Sequence, residues 1–300
     1  MSEPQEAGAR PADTIVRMVI VYLVIVGIAL VAGYYIAVAL IPTPKIGIIN
    51  LQSSVGSLLA EVMSYEIDYV RRTDEIKGVV LIVNSPGGSS SAGQDIYYQI
   101  RTLRDEKPVV ASVDVLAASA AYHIAVGTND IYAKPASIIG NVGVIFGQPR
   151  PEVLSERIIT TGPFKSNGGT ATSYIRKLDL LHADFRDNVV DERESATNPL
   201  AISPAEMSTG EIWIGVEAME YGIIDHLGSR LDAIDGAAEL AGIENYEVVD
   251  VRQELLASLE GGRLRSTLEM YETLENEAEI DIASEQTEWP TFYQLYIPLE

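Results

Sequence analysis

The chain of 300 residues contains no cysteine. Disulfides, thiol catalysis and cysteine-ligated zinc are therefore excluded. The compartment stays open, because an extracytoplasmic domain can hold together without disulfides. Histidine is almost as scarce, with only His123, His182 and His226 present. There are six lysines, and 21 basic residues face 43 acidic ones for a formal net charge of -22. Such a surface has little with which to neutralise phosphates, which argues against a nucleic-acid partner. Self-repulsion on this scale keeps a protein soluble and is tolerated where salt screens it. The composition reads as adaptation to high salt; an ordinary acidic surface is the plainer alternative. The acidic residues are scattered without tight ligand spacing, so no metal site and no cofactor are expected.

One long hydrophobic run is present. Met18 to Ile41 carries no charge. As a helix at about 1.5 Å per residue it is roughly 36 Å long, enough to cross a hydrocarbon core of about 30 Å with some tilt. Pro42 and Pro44 end it. A cleaved signal peptide is the rival, since Ala37-Val38-Ala39 resembles a cleavage site. The run is longer than a usual signal core, which favours a retained anchor. Arg10 and Arg17 precede the run and Lys45 follows it, a weak bias toward a cytoplasmic N-terminus and an extracytoplasmic main domain. The expected organisation is a tail over 1–17, a transmembrane helix over 18–41, a catalytic domain over 46–245 and an acidic, partly disordered extension over 246–300. The aromatic residues after Glu288 read as a segment that packs on a neighbour or lies in a groove as a poor substrate.

Beyond the run, strand-like and helix-like segments alternate. Ile46–Leu51, Gly78–Val83 and Pro108–Val113 are β-branched, apolar stretches that read as buried strands. Leu58–Arg72, Ala92–Leu103, Ala117–Val126 and Arg176–Glu194 read as helices, with short strands at Asp130–Ala133 and Ile223–Asp225. This order indicates α/β layering with mainly parallel pairing.

Two segments point to chemistry. Ser119 stands just after a strand and at the start of a helix, among small residues. There a hydroxyl can be presented at the strand's carboxyl end, and helix N-terminal amides can stabilise an oxyanion. Ser85-Pro86-Gly87-Gly88 is a turn whose glycines let backbone amides face a ligand. Taken singly, each is more often structural: a serine in an alanine-rich helix, and a plain strand-to-helix turn.

Together they carry more weight. Asn84-Ser85-Pro86-Gly87-Gly88, then Ala117-Ala118-Ser119 with Tyr122, then Ile139–Val144, Gly162-Pro163-Phe164-Lys165-Ser166, Ile212–Gly215 and Tyr221–Asp225 resemble the signal peptide peptidase A family in order, spacing and residue type. The resemblance covers roughly residues 45–240. It implies a ClpP/crotonase-like fold of stacked ββα units, here behind one N-terminal transmembrane helix, and a peptidase working through an acyl-enzyme. It matches Ser119 to the nucleophile and Lys165 to the general base, with oxyanion donors at Gly88 and Ala120 beside Gly87. It also implies peptide substrates, such as signal peptides or membrane-protein fragments, and a homo-oligomeric ring. Serine needs a base to take its proton, and lysine serves only when neutral, so Lys165 is expected to be buried.

The chain departs from the family in two places. Ala120-Ala121 replaces the usual Gly-Gly, and Asn141 stands where a serine usually positions the lysine; its amide oxygen could serve instead. His123 lies one helical turn after Ser119 where the family usually has an aromatic, and it reads as structural. A membrane scaffold that has kept the fold, and a crotonase-type enzyme acting on an acyl thioester, are the competing readings. The anchor and the Ser119/Lys165 pair argue against the thioester enzyme.

Overall fold

The computed structural model describes residues 11–40, 42–147, 161–162, 164–165 and 168–284. The chain divides into two units, Met1–Thr43 and Pro44–Glu300. The first holds helix α1 (Pro11–Leu40). Within it, Ile15–Ile36 is long and apolar enough to cross a membrane, and none of that span is buried against protein.

The second unit opens with β1 (Lys45–Gln52), α2 (Ser57–Arg72), β2 (Ile76–Ser85), α3 (Ser90–Arg104) and β3 (Val109–Ala118). There follow α4 (Ala120–Ala125), β4 (Asp130–Ala133), β5 (Ile138–Gly140) and α5 (Ala171–Glu194). The chain continues through α6 (Pro204–Met207), β6 (Ile212–Ile214), α7 (Gly215–Glu220), β7 (His226–Leu227) and α8 (Arg230–Ala241). It ends in β8 (Glu247–Asp250), α9 (Val251–Ser258) and α10 (Arg263–Ser284).

The strands form one sheet in the order β6-β5-β3-β2-β1-β8, with β4 branching from β3 and β7 pairing with β4. β3 makes the branch possible by its length. Val110–Val113 pair in parallel with β4, while Leu116–Ala118 pair in parallel with β5. All pairings are parallel except β5 with β6, where Ile139 opposes Trp213. The expected strand at Ile223–Asp225 is a bend instead, and the strand begins three residues later than expected, at His226. Asp225 is occupied as a hydrogen-bond acceptor. It takes the Ile131 amide at 2.8 Å and both Arg193 Nη groups at 2.8 and 2.9 Å.

Strand alternation sorts the two faces of the sheet. Val79, Leu81 and Val83 of β2 join the larger core, which includes Val62, Ile96, Tyr97 and Tyr122. Val80 and Ile82 turn the other way, onto Ala233, Ile234, Ala237 and Ala238 of α8. The extension assigned to 246–300 begins as a strand of this sheet: β8 pairs in parallel with β1, setting Ile46 beside Val248. α10 then closes over α2 and α9 through a buried cluster. Arg252 Nε donates to Glu66 Oε1 at 2.6 Å, Arg252 Nη1 to Glu275 Oε2 at 2.5 Å, and the guanidinium lies 4.9 Å from the Tyr271 ring centroid. Residues 285–300, with the aromatic tail, lie outside the described residues.

Candidate active site

Helix N-termini in this chain are capped as their sequences dictate. Ser89, Thr170, Ser203, Ser229 and Asp250 each accept a backbone N–H from the first turn of the helix they precede. Ser119 occupies the same position before α4, yet its side chain makes no capping bond. Its backbone explains why. With φ 55° and ψ -124°, Ser119 sits in a conformation that L residues rarely adopt. The helical reading of Ala117–Val126 is corrected accordingly: Ala117 and Ala118 complete β3, and the helix starts only at Ala120. The chain turns sharply at Ser119, and among the described residues the hydroxyl makes no hydrogen bond.

Neighbouring backbone holds the turn. The Ser119 amide donates to the Gly140 carbonyl at 2.9 Å, and the His123 amide to the Ser119 carbonyl at 3.0 Å. The glycine turn presses against it. A methyl on Gly87 would stand 2.8 Å from both Ser119 Cβ and the Ala120 nitrogen. Gly87 and Gly88 take φ +93° and +157°, where glycine is favoured. Val55 supports this turn: its amide donates to the Gly87 carbonyl at 2.8 Å, and its carbonyl accepts the Ser89 amide at 2.8 Å. The Gly87 amide donates to Ser85 Oγ at 3.2 Å. The amides of Gly88 and Ala120 have no hydrogen-bond partner among the described residues. Gly87, Gly88, Ser119 and Ala120 are thus brought together, with two amides to spare.

The alanine at 120 is accommodated by α3. A Cβ on Gly93 would lie 2.9 Å from the Ala120 Cβ, so the bare glycine makes room for that methyl. Sequence reasoning passed over Gly93, although a glycine in the first turn of a helix is itself a sign of close approach.

Asn141 has φ 54°, its amide donates to the Glu211 carbonyl at 2.7 Å, and Nδ2 donates to the Gly210 carbonyl at 2.7 Å. Its Oδ1 is left as an acceptor. Lys165 lies in an exposed turn, its amide 3.3 Å from the Gly162 carbonyl, and its side chain is exposed rather than buried. No hydrogen bond joins Lys165 to Ser119 or Asn141 among the described residues. Pro163 and Ser166 of that segment lie outside them.

His123 is packed as a structural ring. It is stacked between Tyr97 and Phe185, with centroids 4.5 and 4.6 Å away, and Asn188 Nδ2 donates to its Nε2 at 3.2 Å. Burial pushes its pKa down to about 4, so the ring is neutral at pH 7. His182 Nε2 donates to the Ser208 carbonyl at 2.8 Å, and His226 lies 4.4 Å from the Tyr132 ring. Ser119 and His123 share the wall of a small cavity with Ala120, Val144, Leu181 and Phe185. Leu181 and Phe185 come from α5, more than 60 residues away in sequence, and nothing local marked them.

Comparison with known proteins agrees with this architecture. Peptidase family S49 matches residues 101–244, and the Clp protease family matches residues 42–139. The chain is 29% identical over 198 residues to a protein of Methanocaldococcus jannaschii, covering 61% of this chain and 62% of that one. It is 26% identical over 208 residues to the chloroplastic serine protease SPPA of Arabidopsis thaliana, covering 64% of this chain and 30% of that one. The chain therefore spans less than two thirds of either relative. A solved membrane-bound stomatin-specific protease, in complex with a substrate peptide, superposes with a TM-score of 0.52 at 16% identity, covering 70% of this chain and 93% of that one. The sheet thus follows a ClpP-type fold, and residues 101–244, which carry the strained serine between β3 and α4, match peptidase family S49.

Proposed function

We propose that the protein is a membrane-anchored serine endopeptidase that degrades signal-type or other membrane-released peptides through an acyl-enzyme. The observation that carries this reading is Ser119: a helix-capping position whose serine does not cap, held at φ 55° with a hydroxyl that has no hydrogen-bond partner among the described residues, beside two amides that have none there either. Ser119 Oγ attacks the peptide carbonyl, and its proton passes to Lys165 Nζ. The Gly88 and Ala120 amides receive the oxyanion. Collapse breaks the C–N bond, and the amine leaves with the proton from Lys165. Water, deprotonated by the same lysine, then releases the acyl group and regenerates Ser119. Asn141 Oδ1 is suited to hold the lysine. The exposed Lys165 must be covered before it can act as a neutral base, and a bound peptide or a neighbouring subunit of a ring would supply that cover. The apolar span Ile15–Ile36 supports anchoring, and Arg10 and Arg17 before it favour a cytoplasmic N-terminus with the main domain outside the cell.

A specific observation favours a second reading, that of a non-catalytic scaffold: Lys165 is exposed, and among the described residues no hydrogen bond joins it to Ser119. The deciding experiment uses the full chain in detergent at high salt, with a quenched apolar signal-type peptide. Wild type should cleave it, while Ser119→Ala and Lys165→Ala lose at least about a thousandfold in rate. A fluorophosphonate should label wild type and fail on Ser119→Ala. If folded wild type neither cleaves nor labels, the scaffold reading replaces the peptidase.

A further inference from the structure

The cavity beside Ser119 is very small, about 20 Å³. That is room for about one water molecule or a methyl group. Ser119 stands on its wall, and a side chain of the residue under attack is the group placed to enter it if the peptide carbonyl lies against Ser119 Oγ. The His123 ring is one of the groups that line it, together with Leu181 and Phe185 of α5.

Two neighbours of that ring, Tyr97 and Asn188, are themselves held. Tyr97 covers one face, and its hydroxyl donates to Glu192 Oε1 at 2.9 Å. Arg101 and Arg104 bind the same Glu192 carboxylate at 2.8 and 2.7 Å, so Tyr97 has no slack. Phe185 covers the other face. Asn188 holds Nε2 and also donates to Asp184 Oδ2 at 3.4 Å; Gln94 Nε2 donates to the same oxygen at 2.6 Å. The floor is a ring clamped on both faces and along one edge. In a close-packed interior such a ring does not swing aside to admit a larger group.

We propose that His123 is a specificity-determining residue. Its clamped ring closes the pocket beside Ser119, so that the residue whose carbonyl is attacked must be alanine, serine or glycine. The inference rests on the peptidase reading and deepens it. It also gives a role to a histidine that stands near the nucleophile without being its base.

The test compares two quenched peptides that differ only in the residue before the scissile bond, alanine or leucine. A single methylene of misfit or lost contact changes selectivity roughly 10–200-fold. Wild type should therefore favour the alanine peptide by at least about tenfold in kcat/KM. His123→Ala should reduce that ratio about tenfold or more by opening the floor, while His123→Phe, which keeps a ring in place, should preserve it. Fluorophosphonate labelling of Ser119 reports that each variant is folded around its nucleophile. If His123→Ala does not fold, His123→Leu keeps apolar contact with Tyr97 and Phe185 but lacks the ring's reach, and should move the ratio in the same direction. An unchanged ratio in a variant that labels normally overturns the proposal. Binding separates this from failure of the peptidase reading. In a Ser119→Ala background, peptides ending in alanine should bind more tightly than those ending in leucine, and adding His123→Ala should remove the difference. That outcome without wild-type turnover would keep the pocket and reject the catalysis. Equal binding of the two peptides before His123 is changed would reject the pocket.

Discussion

Gly87 and Ser119 touch so closely that a methyl on Gly87 would lie 2.8 Å from the Ser119 Cβ. It would also lie 2.6 Å from the Ala118 carbonyl oxygen, in a backbone held at φ +93°. Gly87→Ala therefore adds both a clash and an unfavourable dihedral. We expect a loss of about 3 kcal/mol in stability, read from denaturant midpoints. Turnover should fall further than stability alone explains, because the turn that must yield is the one carrying the Gly88 amide.

Ser119 provides the opposite case. Its φ of 55° and ψ of -124° suit glycine better than serine. Ser119→Gly should relieve strain and raise stability by about 1 kcal/mol, while abolishing hydrolysis. Thermal unfolding of Ser119→Gly beside Ser119→Ala checks this. A glycine variant no more stable than the alanine variant would show that the turn is not strained.

Glu66 predicts a pH dependence. Burial pushes its carboxyl up from 4.5 to about 7 despite Arg252, and Asp250 and Glu275 add to the rise. The folded state thus favours the protonated form. This stabilisation is complete below about pH 4.5 and is lost as pH rises through about 7. Glu66→Gln keeps the neutral shape. Its unfolding free energy should change less between pH 5 and 8 than that of wild type. High salt in both samples screens the general repulsion of this acidic chain. Parallel pH profiles of the two proteins would count against the assignment.

His123 has the opposite sign. Its folded value is lowered from 6.5 to about 4 by burial, against the pull of Asp184 and Glu192. Stability from this site is fully present above about pH 6.5 and is lost as pH falls toward 4. Wild type should therefore lose on the order of 3 kcal/mol between those limits through this residue. His123→Phe should lack that component, which is seen by comparing the two acid-unfolding curves. Glu66 titrates over an overlapping range, so the comparison is best made with Glu66→Gln in both.

Local patterning carried much of this structure. The apolar β-branched runs of β1, β2 and β3 are legible because burial on both faces of a parallel sheet demands them. Asp130–Ala133 forms β4 with those same ends. The caps of α3, α5, α6 and α8 are written in the serines and threonine before them. The glycine turn and Ser119 were visible as a pair through family resemblance, though composition alone left each ambiguous. Alanine's helix propensity misassigned Ala117 and Ala118. They belong to β3 because pairing with β5 and close packing against Gly87 override a weak local preference.

The sequence by itself determined β1 to β3, the main helices that follow them and the apolar N-terminal span, because these depend on residues within one or two turns of each other; the pairing of Ser119 with the glycine turn came through family resemblance. Tertiary structure alone decided that β8 returns to pair with β1, some 200 residues earlier in the chain. It also decided that Arg252 joins α2 to α10, and that Asn188 and Phe185 from α5 fix the His123 ring beneath Ser119. Hydrogen bonding and burial between distant segments depend on the path of the whole chain, and periodicity within a segment specifies which face is apolar without specifying what covers it.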